Sequence, residues 1–239
     1  MTNKIILTFD IDWAPDFVID DIAAQLLKHE VCATWFVTHD SPAVARLREH
    51  PEHFELGIHP NFLPGSSHGS TPETVLQHMI SLVPDAVSTR SHSVVQSGPI
   101  LNLLTEQTAI RLDASIFLPG MPNIQPVLHL GPSRQLVRVP FYWADDYASA
   151  AEDEHWQIGP HLDVPGIKVF MFHPIRVYLN SADDLAYTAI KALHRPLIEL
   201  TEADLAPAVQ TGAGAATMLD TAVTFLAAND GGCRLRDLL

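Results

Sequence analysis

Runs of consecutive apolar residues alternate along the chain with stretches whose apolar positions recur every three or four residues. That alternation of buried strands and amphipathic helices predicts a βα architecture. The first run, "KIILTF" at 4–9, reads as a buried strand and ends in two aspartates, Asp10 and Asp12, on either side of Ile11. Phe17, Ile19, Ile22, Ala23, Leu26 and Leu27 then follow helical spacing after Pro15, predicting a helix over 16–28. "VCATWFVT" and "FELGIH" read as the second and third strands, separated by a helix with Ser41 as N-cap and Pro42 at its first position. Thr71 and Pro72 open the next helix, and Pro84 closes it. "AVSTRSHS" reads as a fourth strand end, "SGPILNLLTEQT" as a helix and "AIRLDASIFL" as a fifth strand. Residues 119–146, rich in proline, glycine and aromatics, break the simple repetition with two short β-like runs, "QPVLHL" and "QLVRVPFYW". "GIKVFMFHP" is a late buried strand, followed by a helix capped by Ser181 and a last helix stopped by Gly231 and Gly232.

No internal repeat, low-complexity tract or linker interrupts this pattern, which predicts one domain over residues 1–239. The chain carries 14 Lys and Arg against 28 Asp and Glu, a net charge of −14, so a nucleic acid would be repelled at long range. No apolar stretch approaches the ~18 residues of a membrane span, and the N-terminus enters a strand without the regions of a secretory signal, so the expectation is a cytoplasmic protein. Two cysteines, Cys32 and Cys233, are too few for a disulfide framework, although one bridge between them stays open. Cys32, within an apolar run, reads as a small core residue.

Polar side chains at the C-terminal ends of barrel strands share one mouth. Here those positions hold Asp10 and Asp12, His59, Arg90 and His92, Asp113, and His173. One aspartate after a strand is as readily a helix cap as a functional group; two flanking a buried Ile, with histidines at later strand ends, point to chemistry. His59 and His173 both follow apolar runs and precede proline, in "GIHP" and "FMFHP", where the strand must stop. Two imidazoles and a carboxylate suit Zn²⁺ or another first-row divalent ion, with a position left for water. A remaining carboxylate and a remaining histidine supply a base and an acid, which fits hydrolysis of an amide or ester.

Taken in order, "LTFDID", "ATWFVT", "ELGIHPN" with "SSH", "TRSHS", "RLDASIF" and "FMFHP" resemble the motifs of the polysaccharide deacetylases, the NodB-homology superfamily, from about Ile5 to Pro174. The resemblance implies an α/β fold, a distorted (β/α) barrel with about seven parallel strands, and metal-dependent removal of acetyl groups from sugars. It implies Asp10 as general base, and Asp12 and His59 as metal ligands. The family's closely spaced second histidine is missing; His68, nine residues beyond His59, stands in for it, the alternative being an exposed His68 and an incomplete site. Arg90 corresponds to the arginine that holds the catalytic aspartate. His92 and Ser93 replace the proline and tyrosine that usually follow, with His92 an added ligand or substrate contact and the backbone near Ser93 an oxyanion donor. His173 corresponds to the general acid, with Asp113 the candidate to orient it. In "VPFYWADD", Tyr142 and Trp143 offer a stacking surface for a sugar, and Asp145 or Asp146 a contact for hydroxyls.

The leading expectation is therefore a metal-dependent N-deacetylase acting on an amino sugar or a glycan precursor. Zn²⁺ is the favoured ion, with Co, Mn, Fe or Ni as alternatives. Two rivals remain: an amidase on a small cyclic amide, and a non-catalytic barrel kept for binding or assembly. Substrate identity and oligomeric state are not encoded in these patterns.

Overall fold

A computed structural model describes residues 3–150 and 156–239. The first half of the chain follows the predicted alternation: β1 (Lys4–Asp10), α1 (Asp16–Lys28), β2 (Ala33–Val37), α2 (Pro42–Arg48), β3 (Phe54–Ile58), α3 (Pro72–Leu82), β4 (Ser88–Thr89), α4 (Gly98–Gln107) and β5 (Leu112–Asp113). There follow β6 (Val127–Leu130), β7 (Gln135–Arg138), β8 (Trp143–Ala144), α5 (Asp145–Ser149), α6 (Gly159–Leu162), β9 (Ile167–Phe172), α7 (Pro174–Tyr178), α8 (Leu185–Lys191), α9 (Glu202–Leu205) and α10 (Ala215–Ala227). Ser41 and Thr71 cap their helices as predicted, their side chains accepting from the backbone N–H of Val44 and Thr74. Ser181 does not cap α8, which begins four residues later; its hydroxyl is buried without a partner among the described residues.

The strands form one curled sheet in the order β6-β7-β5-β4-β3-β2-β1-β9-β8. Every pairing is parallel except that of β6 with β7. The distorted β/α barrel expected from the sequence is thus present, with nine strands rather than about seven. The extra elements come from the irregular stretch: "QLVRVPFYW" splits at Pro140, which has no N–H to give a ladder, and its halves join opposite sides of the sheet as β7 and β8. Between those halves, a bridge from Phe117 to Phe141 and a hydrogen bond from Tyr142 N–H to Val169 O (2.8 Å) draw the sheet's two sides together.

Period-two alternation in β1 separates two apolar layers. Ile5, Leu7, Phe9 and Ile11 face the layer shared with the helices, whereas Ile6 joins a smaller cluster inside the curl with Phe36, Phe141, Val169, Met171 and Leu235. Thr8 and Asp10 therefore point to the inside as well. Gly57 on β3 has no room for a side chain, since a Cβ there would lie 2.8 Å from the Phe36 ring and 2.6 Å from Ser88 Oγ. The far end of the curl is closed by the C-terminal turn: Leu235 is fully buried, its N–H bonded to Thr34 Oγ1 (2.9 Å), and Arg236 N–H is bonded to buried Glu55 (2.8 Å). Cys32 and Cys233 are free thiols, and Cys32 is only half-buried rather than core, its thiol directed to Glu52 O. No helix among the described residues is long and apolar enough to cross a membrane.

Candidate active site

The inner face of β1 leads to the mouth of the curl, where Asp10 is almost fully buried. Its Oδ1 accepts from Arg90 Nη1 at 2.9 Å. Arg90 is completely buried; it also donates to Thr8 Oγ1 (2.8 Å) and Ala114 O (3.0 Å), and its guanidinium lies 4.7 Å and 4.9 Å from the ring centroids of Phe36 and Phe141. A planar cation fixed by three oxygen acceptors between two rings holds the Asp10 carboxylate in one orientation.

Beyond Ile11 the backbone turns left-handed at Asp12 (φ 40°) and Trp13 (φ 56°), a conformation strained for a tryptophan. The turn buries Ile11 and directs Asp12 to the same mouth as Asp10. Asp12 Oδ1 lies 3.2 Å from His59 Nε2 and 3.1 Å from His92 Nδ1. One carboxylate oxygen of Asp12 and one ring nitrogen from each histidine lie within 4.8 Å of one another. Burial would raise the Asp12 carboxyl, but hydrogen bonds from His59 and His92 hold it far below its ordinary range. The hydrogen bond to Asp12 in turn raises His92. His92 is presented by a second left-handed stretch, Ser93 (φ 53°) and Val94 (φ 48°), again costly for a β-branched residue. A carboxylate and two imidazoles meeting at one point are a donor set suited to a divalent ion such as Zn²⁺.

His68 lies outside this set. Its loop closes on itself, with Asn61 N–H donating to His68 Nδ1 (3.1 Å), while the ring packs against Trp13 and His78. The third member of the cluster thus comes from His92, after β4, rather than from His68 in the loop after β3.

His173 follows β9 and faces the cluster, its Nε2 3.7 Å from Asp12 Oδ2. It is not oriented by Asp113, which is instead paired with Arg138 (2.7 Å) and bonded to Ser115 N–H. Asp145, fully buried at the end of neighbouring β8, takes that place. Its Oδ2 accepts from the His173 backbone N–H (2.7 Å) and its Oδ1 from His173 Nδ1 (2.6 Å). Burial opposes a charge on His173, but the charge and hydrogen bond of Asp145 overcome it and raise the imidazole well above its ordinary range. With Nδ1 bonded to Asp145, the other ring nitrogen faces the mouth.

Asp10, Asp12, His59 and His173 line a cavity of about 480 Å³ with Ser91, His92, Ser93, Asp146 and Arg176, while Arg90 and Asp145 support it from behind. Its aromatic wall is Phe117, Phe141, Tyr147 and Tyr187. Tyr142 and Trp143 are not part of it: Tyr142 is bonded through its hydroxyl to His161, and Trp143 packs on Phe170, Phe172 and Trp156 in the core. Phe117 stacks on Phe141 at 4.5 Å and meets Tyr147 edge-on on that wall.

A family model described as WbmS-like polysaccharide deacetylase matches residues 7–191. The chain belongs to the WbmS-like polysaccharide deacetylases. A crystal structure of a proposed polysaccharide deacetylase involved in O-antigen biosynthesis, from Bordetella bronchiseptica, is 37% identical over 92% of this chain and 90% of that one, with a TM-score of 0.80. More distant structures share only the fold. A pseudoenzyme of carbohydrate esterase family 4 from Bacillus anthracis is 13% identical over 99% of this chain and 65% of its own, at a TM-score of 0.50. The 4-alpha-glucanotransferase from Thermococcus litoralis is 11% identical over 86% of this chain and 38% of its own, also at 0.50. No curated protein matches the chain.

In this WbmS-like family member the cavity-lining residues that sequence reasoning left without a site role include Ser91, Phe117, Phe141, Tyr147, Arg176 and Tyr187, and Asp145 was given a different one. The pairing of Asp145 with His173 was hidden because β8 has only two residues and nothing in the β-like run before it tells that it lies beside β9. Arg176 had a signal, lying three residues after His173 in a turn opened by Pro174.

Proposed function

We propose that the chain is a metal-dependent hydrolase that removes the acetyl group from an N-acetylated sugar in a surface-polysaccharide precursor. The observation that carries this reading is the meeting of Asp12, His59 and His92 between two separately oriented groups, Asp10 held by Arg90 and His173 held by Asp145. A divalent ion held by Asp12, His59 and His92, Zn²⁺ by preference, would supply polarisation of the amide carbonyl and acidification of a water.

Asp10, aimed by Arg90, takes the proton of the attacking water. Ser93 lies on the cavity wall, and its backbone N–H is the candidate donor for the oxyanion. His173, protonated and steadied by Asp145, gives its proton to the departing amine. The Phe117 and Tyr147 rings offer an apolar face for a sugar ring, and Asp146 an acceptor for its hydroxyls. The 37% identity to the protein involved in O-antigen biosynthesis supports a precursor of that kind as substrate. All strands join one sheet, which supports a single domain.

The test is acetate release from N-acetylated amino sugars with and without added Zn²⁺ or Co²⁺. Metal-stimulated release that is lost in Asp10→Asn and His173→Ala supports the reading; one equivalent of bound metal with no release from any acetylated sugar overturns it.

A further inference from the structure

Among the groups lining the mouth, Arg176 is the one Lys or Arg side chain, in a protein with a net charge of −14. Its position is fixed relative to the reacting groups. Arg176 lies in α7, the turn that begins directly after His173, and its N–H is bonded to His173 O at 2.9 Å. The side chain is mostly buried, with its guanidinium 4.8 Å from the centroid of the Tyr187 ring. Nη1 donates to Ser149 Oγ (3.2 Å) and Nη2 to Asp184 Oδ1 (2.8 Å). Those two bonds use two of the five guanidinium donors.

The carboxylates at and behind the mouth have partners of their own. Asp10 is matched by Arg90, Asp12 by His59 and His92, Asp145 by His173, and Asp146 Oδ1 accepts from Tyr147 N–H. Among the described residues the ion-pair partner of Arg176 is Asp184, whose side chain is 60% exposed and therefore a weak, solvent-screened counterion, and buried Asp145 also feels the charge of Arg176. A cation so rigidly held, desolvated by a tyrosine face and turned toward a sugar-sized cavity, is suited to bind an anion by a forked pair of N–H donors.

Resting on the deacetylase reading, we propose that Arg176 is a specificity-determining residue that selects acetylated sugars bearing an anionic group. The anion is a carboxylate on the sugar ring or the phosphate of a sugar nucleotide. Arg176 recognises either, and Asp184 acts as the internal counterion that competes with the substrate for it.

The experiment compares three probes, N-acetylglucosamine, N-acetylglucosaminuronic acid and UDP-N-acetylglucosamine, on the wild type, Arg176→Gln, Arg176→Lys and Asp184→Asn. Acetate release gives kcat and KM, and calorimetric titration of each probe gives binding whether or not acetate is released. The ratio of kcat/KM for the anionic probe to that for the neutral one is expected to fall about tenfold or more in Arg176→Gln, through KM, as for one lost charge-assisted hydrogen bond. Arg176→Lys recovers part of it, and Asp184→Asn raises it. Preference for the uronic acid assigns the anion to the ring, and preference for the nucleotide to phosphate. If the neutral probe binds as tightly as both anionic ones and the Arg176 and Asp184 variants leave the binding ratio unchanged, the proposal is overturned. Absence of acetate from every probe with anion-selective binding intact overturns the deacetylase reading instead, and leaves Arg176 as the anion site.

Discussion

Nη1 of Arg90 lies 2.9 Å from Oδ1 of Asp10, and both side chains are shut off from solvent. Removing one member of such a pair leaves an uncompensated charge in the interior, and here Arg90 also supports Thr8 and the chain at Ala114. Arg90→Met is expected to lower stability by about 3–5 kcal/mol and to reduce acetate release by two orders of magnitude or more. Arg90→Lys recovers little, because an ammonium cannot lie flat between Phe36 and Phe141 while donating in three directions. Urea unfolding and kcat on the two variants check this; full activity in Arg90→Lys contradicts the orienting role.

His68 gives the chain an acid-sensitive point away from the chemistry. Its Nδ1 accepts from Asn61 N–H, a role open only to the neutral ring, and burial followed by the neighbouring His78 pushes its pKa down from 6.5 to about 4. Below pH 6.5 the unfolded chain takes up a proton at His68 that the folded chain refuses until about pH 4, so stability falls as pH drops through that window. The full effect is on the order of 2–3 kcal/mol. His68→Asn, which keeps an acceptor for Asn61 and cannot titrate, should flatten the decline. Urea midpoints at several pH values between 7 and 4 measure it; equal slopes in both proteins would show that other groups govern the acid limb.

At the opposite end of the curl, Leu235 is a fully buried member of the inner apolar cluster. Leu235→Ala should cost about 2–4 kcal/mol, the range for a large-to-small change in a packed core. Because the mouth is built from the other ends of the strands, kcat at a temperature well below the unfolding midpoint should change little. A loss of less than 0.5 kcal/mol in urea unfolding would mean that the C-terminal turn does not plug the curl.

The fold was legible wherever strand and helix periods were long enough to read. β1 through α4, β9 and α10 fall where the apolar runs and the Ser41 and Thr71 caps place them. Of the site, the strand-end pattern brought Asp10, Asp12, His59, Arg90, His92 and His173 to one mouth. Neighbourhood in sequence did not show which of these side chains meet. His68 was the next histidine after His59 along the chain, but its Nδ1 accepts a hydrogen bond from Asn61 N–H and its ring packs against Trp13, whereas His92 from the next strand end lies 3.1 Å from Asp12. Asp113 sat at a strand end, yet its strand is across the sheet from β9, whereas Asp145 ends the strand beside it. Strand order decides such pairings, and no local pattern encodes it for two-residue strands.

The central claim is that the third metal ligand is His92 and not His68. It is tested most directly by metal content and affinity, measured by equilibrium dialysis with Zn²⁺ on the wild type, His92→Ala and His68→Ala, each shown by circular dichroism to be folded. The account predicts about one equivalent of Zn²⁺ in the wild type and in His68→Ala, and a loss of affinity of about a hundredfold or more in His92→Ala, as for a missing ligand. Retention of tight Zn²⁺ by His92→Ala together with its loss from His68→Ala would contradict it.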